Sequence, residues 1–140
     1  MTPSNQRRIL QTMYDAVNYL DLNPEHQTTG YLARDSAGRP VMPTDDAACA
    51  WCVLGRIVHD LELSVTSIPL VSCGGQSVPN TYLNDQRLTA KLWKEVLGPL
   101  GFSAHFFTLR NDRASPKRRQ QGLEEIKSAI LNHPVFLKGD

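Results

Sequence analysis

Apolar residues along the chain fall into blocks with a helical period, separated by short polar stretches rich in turn formers. Ile9, Leu10, Met13, Tyr14, Val17 and Leu20 recur every three or four residues and predict a helix over 3–21. Thr2 is placed to cap it, and Pro3 suits its first turn. Asn23-Pro24 ends it, because the residue before proline avoids helical backbone. Residues 30–42, GYLARDSAGRPVM, read as a small hairpin turning at Asp35, Ser36 and Gly38, with Pro40 confining the second arm to an edge. Thr44, followed by Asp45 and Asp46, opens a second helix expected to reach about Leu63. Residues 65–79 read as loop or short strand, broken at Gly74-Gly75.

Asn84 or Asp85 is expected to cap a third helix carrying Leu88, Leu92, Val96 and Leu97, which closes at Gly98-Pro99. The aromatic run over 102–109 reads as a short strand. Ser115-Pro116 opens a fourth helix that turns Leu123, Ile126 and Ile130 inward and stops before His133-Pro134. YLNDQR and LRNDRA echo one another, each setting an Asn-Asp pair ahead of a helix, and capping accounts for both. Together these elements predict one domain over 1–140 of class α+β, mainly α, with about four helices around one core and a short β-hairpin.

The densest chemistry lies in ACAWCVLGRIVHDL, residues 48–61. On a helix, Ala50, Val53, Leu54, Ile57, Val58 and Leu61 share the core face, and Trp51 sits at its edge. Cys49, Cys52, Arg56 and His59 share another stripe. Cys49-Ala50-Trp51-Cys52 has redox-pair spacing, but a helix beginning near Thr44 would place both thiols inside it rather than at its N-terminus. Cys49, Cys52, His59 and Cys73 are zinc-ligand types, yet His59 lies about 10 Å along the axis from Cys52, too far for one ion. A nucleophilic Cys52 would have Arg56 one turn on to favour the thiolate, and a base from His26 or His105 with Asp85 or Asn84 orienting it. The plainest reading is that both cysteines are small buried residues.

A length of 140 residues suits one self-sufficient core. The net charge of +1 argues against a coat for nucleic acid. No apolar run is long enough to span a membrane, and MTPSNQRRIL has no apolar signal core. Three cysteines, an odd number, make no disulfide framework and point to the reducing cytoplasm of a bacterial or host cell. Charge is uneven along the chain: Arg110, Arg113, Lys117, Arg118 and Arg119 crowd the start of the fourth helix against Asp112 alone. Cations are unfavourable at that end of a helix dipole, which makes the segment a candidate anion site.

GYLARDSAGRPV, then TDDAACAWCVLGRI and YLNDQR, resembles an uncharacterised domain-of-unknown-function family of small bacterial and phage proteins. Its members pair a D..G.P hairpin with an A..WC..GA helix and a downstream ND. Asp35, Gly38, Pro40, Ala48, Trp51, Cys52, Gly55, Asn84 and Asp85 carry the resemblance, which covers about residues 30–97. Arg56 stands where the pattern has alanine. The resemblance implies a fold and no activity. In structural terms, Trp51 would anchor the hairpin, Gly55 would let another element approach, and Asn84 or Asp85 would cap.

The leading expectation is a non-enzymatic binding protein of phage or bacterial-accessory type. It would engage a small anionic ligand or a partner protein, with a host factor implied by the resemblance. Its binding residues would be Arg110, Arg113, Lys117, Arg118 and Arg119, with Arg56, Trp51 and Asn84. The alternative is a small cysteine-dependent enzyme with Cys52 as nucleophile, aided by Asp85 and His105. A third reading is a structural subunit of a homodimer. Nucleic acid ranks behind a protein partner, and no membrane, metal or cofactor is expected.

Overall fold

The computed structural model describes residues 1–65 and 70–137. Helix α1 (Pro3–Leu22) forms where the stripe predicts it. Thr2 Oγ1 accepts a hydrogen bond from the Asn5 amide at 3.2 Å, and Leu10, Met13, Ala16, Val17 and Leu20 are buried. A single 3₁₀ turn, Pro24–His26, follows.

The expected hairpin turn is present. Asp35 Oδ1 accepts from the Ala37 and Arg39 amides, and Gly38 takes φ 79°, a conformation that favours glycine. The hairpin's arms pair briefly, through an antiparallel bridge between Arg34 and Pro40 and bonds from the Val41 amide to the Ala33 carbonyl and from the Asp35 amide to the Arg39 carbonyl. On its other side β1 (Ala33–Arg34) pairs antiparallel with β2 (Ala50–Trp51), Ala33 opposite Trp51.

That pairing overturns the expected second helix. Thr44 caps nothing: Asp45 Oδ1 accepts from the Ala47 amide, and the Asp45 carbonyl accepts from Ala48. Such a local side-chain turn competes with helix nucleation. Helix α2 (Val53–Asp60) starts eight residues later than expected, with Cys52 as its N-cap. It ends through Glu62 at φ 55°, with the Leu63 amide bonded back to the Val58 carbonyl.

Strands β3 (Leu70–Cys73) and β4 (Gln76–Pro79) pair across Gly74-Gly75, while residues 66–69 of the predicted loop lie outside the described residues. Helix α3 (Thr81–Leu92) is capped by Asn80, whose Oδ1 accepts from the Leu83 amide, and not by Asn84 or Asp85. Gly98-Pro99 does not close it either. The helix widens into a π-helical stretch (Trp93–Leu97) and continues through α4 (Gly98–Leu100). The Gly98 amide bonds to the Trp93 carbonyl, a five-residue step, and proline at 99 brings no amide for a regular bond. Gly101, at φ 85°, ends the rod.

Residues 102–109 are helical rather than strand. Ser103 Oγ accepts from the Phe106 amide and starts α5 (Ala104–Asn111), which buries Phe107 with Phe102 and Phe106 edge-on around it. The cap and one buried aromatic face outweigh the β preference of the run. Helix α6 (Pro116–Leu131) begins at Ser115 as predicted and buries Leu123, Ile126 and Ile130; α7 (Pro134–Leu137) follows.

Helix α1 packs on α6 and α2, and α5 packs on α6 and α2. Lys127 ties α6 to the end of α1, with Nζ 2.7 Å from Asp21 Oδ2 and 3.3 Å from Asn18 Oδ1. The chain is 61% helix with two small antiparallel strand pairs among the described residues. That is six helices rather than four, counting the continuous rod through α3 and α4 once. No helix among the described residues is long and apolar enough to cross a membrane.

Candidate functional site

A cleft of about 640 Å³ opens between α3 and α5, a size typical of small-molecule sites. Its first wall is one face of α3: Tyr82, Asp85, Gln86, Thr89, Ala90 and Trp93 recur at three- and four-residue steps. This face adjoins the stripe of the buried Leu88 and Leu92, and it leaves Tyr82 61% and Trp93 53% exposed. Its second wall is α5, through Phe107, Thr108, Asn111 and Asp112. Gly30, Tyr31 and Leu32, with Cys52 and Leu54 at the start of α2, complete it.

The cleft depends on two close approaches. A Cβ at Gly55 would lie 1.8 Å from the Leu32 carbonyl oxygen, so only glycine lets the strand lie against α2. This matches the close-approach role expected for Gly55. Buried Asn111 provides the second. Its Oδ1 accepts from Gln27 Nε2 at 2.9 Å and from the Val53 amide at 3.0 Å, and its Nδ2 donates to the Thr28 carbonyl and to Asp112 Oδ1. One side chain thus joins the 3₁₀-turn loop, the start of α2 and the end of α5.

The two Asn-Asp pairs singled out in the sequence meet here. Neither is an N-cap. Asn84 and Asn111 are both buried, and Asp85 and Asp112 both line the cleft. Asn84 Nδ2 bonds to Met42 Sδ, and its Oδ1 has no partner among the described residues. Asp85 Oδ2 accepts from the Leu32 amide at 3.0 Å. Asp85 Oδ1 is shielded from solvent and accepts nothing among the described residues. Burial pushes the Asp85 carboxyl up to about 6, against the bond from Leu32, which lowers it.

Cys52 sits at a helix N-terminus after all, which removes the geometric objection to a reactive thiol. Burial removes the reactivity instead. It pushes the thiol up to about 12, against the hydrogen bond from the Gly55 amide to Sγ at 3.3 Å, and the charges of Asp112 and Asp85 add to the rise. Asp85 and Cys52 line the same cleft, but His105, the base expected to be oriented by Asp85, is exposed and does not line it. His26 lies elsewhere, its Nδ1 2.6 Å from the Tyr19 hydroxyl.

Arg56 does not face Cys52. Its guanidinium lies 3.9 Å from the ring centroid of Tyr19 and 4.5 Å from that of Trp51, and its Nε is 3.1 Å from Asp60 Oδ1. Trp51 donates from its indole to the Pro43 carbonyl and stacks near His59. Both are packing residues, and Trp51 anchors the strand pair. Cys49 is exposed, and the Cys73 side chain lies outside the described part of the chain. Among the described residues no group of three His, Cys, Asp or Glu side chains is placed to hold a metal.

The basic segment does not assemble into one patch. Arg113 forms a two-point pair with Glu125, at 2.7 and 3.0 Å. Arg110 lies 3.3 Å from the same carboxylate and 3.9 Å from the Phe106 ring centroid. Arg119 donates to the Arg113 carbonyl. Lys117 and Arg118 remain exposed. A smaller cavity of about 320 Å³ takes in Lys117 and Arg119, but Asp21 lines it too.

Sequence reasoning reached Asp85 and Cys52 but missed Tyr31, Tyr82, Trp93 and Asn111. The signal available was the aromatic and polar stripe on the outer face of α3, together with the repeated Asn-Asp. Comparison of the chain with protein-family models, curated proteins and solved structures finds no match.

Proposed function

We propose that the protein is a non-enzymatic binding protein whose ligand lies in the α3–α5 cleft. The observation that carries this reading is Asp85. Its carboxylate is held in a mostly apolar cleft, one oxygen bound to the Leu32 amide and the other without a partner. An ionised group in such a place costs stability, and groups kept at that cost are a mark of sites. Four aromatic side chains, Tyr31, Tyr82, Trp93 and Phe107, give the cleft the apolar lining of a ligand site. Trp93 opens the π-helical stretch, a feature frequent at functional positions.

The anionic ligand expected from the basic segment has less support, since Glu125 already neutralises Arg110 and Arg113. The phage or bacterial-accessory setting, with a host factor as partner, rests on sequence resemblance alone. The cysteine-enzyme alternative has neither His26 nor His105 in the cleft, and burial raises its thiol far above neutral pH.

A fragment screen by amide NMR tests the reading. Fragments should shift Gly30–Leu32, Asp85–Trp93 and Thr108–Asp112 together and saturably. Shifts confined to Lys117 and Arg118, or a screen without a saturating fragment, would contradict it.

A further inference from the structure

We infer that the cleft selects a small organic cation: a protonated amine on an aromatic or aliphatic body, with its ammonium group at Asp85. The inference rests on the cleft being the binding site and adds the chemistry of what it holds.

The charges lining the cleft have one sign. Asp85 comes from α3 and Asp112 from the end of α5, and among the described residues no lysine or arginine lines it. Asp112 also caps the C-terminal, negative end of α5. The nearest stacked cation, Arg34, lies over the Tyr31 ring at 5.0 Å, but it spends its donors on Thr28, Thr29 and Gly38.

Donors in the lining are spent in the same way. Gln86 Nε2 donates to the Tyr82 hydroxyl, the Thr108 hydroxyl donates to the His105 carbonyl, and both Asn111 amide bonds go to Thr28 and Asp112. The first amides of α2, which would otherwise make an anion site, serve Asn111 and Cys52. The charged groups of the lining are both acceptors, so a matching ligand must bring donors of its own. A carboxylate or phosphate would meet two like charges. An ammonium group would meet the Asp85 carboxylate and the rings of Tyr82 and Trp93, the combination that recognises organic cations elsewhere. The Cys52 thiol, raised chiefly by burial, is raised further by the charges of Asp112 and Asp85, which fits a cleft floor of negative potential.

The test is a charge series on one body: phenethylamine, phenethyl alcohol and phenylacetate, titrated into the unmutated protein at pH 7.5 and followed by amide NMR. The amine should saturate shifts at Asp85 and Trp93 with at least tenfold tighter binding than the alcohol, and phenylacetate should be weakest. In Asp85→Asn, whose amide oxygen still accepts from Leu32, the preference of amine over alcohol should fall to about twofold or less. Alcohol or phenylacetate binding as tightly as the amine would overturn the cation assignment and leave the cleft standing as a site. Binding of none of the three within the cleft would overturn both. The ligand series needs no variant, so a misfolded Asp85→Asn would not rescue the inference.

Discussion

Asp85 is where stability and binding pull in opposite directions. Its carboxyl moves from an ordinary value of 3.8 to about 6 on folding, chiefly through burial. The folded chain then holds its proton more tightly than the unfolded chain, so the contribution of this group to stability is greatest below pH 4. It falls as pH rises from about 4 to 6 and is level above that. Asp85→Asn removes the penalty while keeping the acceptor for Leu32. It should stabilise the protein at pH 7 by about 1 kcal/mol, with solvent screening of a partly exposed side chain allowed for. The gain should vanish by pH 3. Paired denaturant melts at the two pH values check this. Cys52 gives a second residue-scale outcome. With its thiol near 12, iodoacetamide at pH 8 should label Cys49 and leave Cys52 unmodified in the native protein, as read by peptide mapping. Rapid labelling of Cys52 would revive the nucleophile reading.

At the scale of elements, caps and stripes were legible where they agreed. Thr2 with Pro3 for α1, and Ser115 with Pro116 for α6, each precede a clean apolar period, and both helices form as the pattern predicts. Where a local bond competed, the pattern misled. Asp45 bonds its own neighbour, Trp51 is drawn into β2 by Ala33, and α2 can begin only at Cys52. That partner lies eighteen residues back in the chain, beyond any local window. The hinge of this arrangement is Gly55. Gly55→Ala should cost about 3 kcal/mol or more, since a methyl cannot occupy the place of the Leu32 carbonyl. Chemical denaturation would show it, and a cost below about 1 kcal/mol would mean that the strand can move away. Glu62, by contrast, pays for a left-handed backbone that glycine adopts freely. Glu62→Gly should raise stability by about 0.5–1 kcal/mol in the same assay.

At the scale of the molecule, the cleft is a product of packing that no single segment announces. Its walls come from α3 and α5, one of which reads as strand in the sequence, and its floor from a helix that starts later than its cap signals suggest. Single residues could still be picked out, Asp85 and Cys52 among them, because carboxylates and thiols attract notice wherever they fall. Their roles could not, because the burial that shifts both groups is a tertiary fact. The repeated Asn-Asp was visible as well, but that both asparagines are buried and both aspartates line the cleft appears only in three dimensions.

The most direct measurement is the carboxyl titration of Asp85, followed by carbon NMR at its Cγ, first in the free protein and then with phenethylamine at saturation. The account predicts a midpoint near 6 in the free protein, moving down when the amine is bound, because a cation favours the ionised form. A midpoint near 3.8, unmoved by the amine, would mean that Asp85 is an ordinary solvated carboxylate and that the cleft is not organised around it.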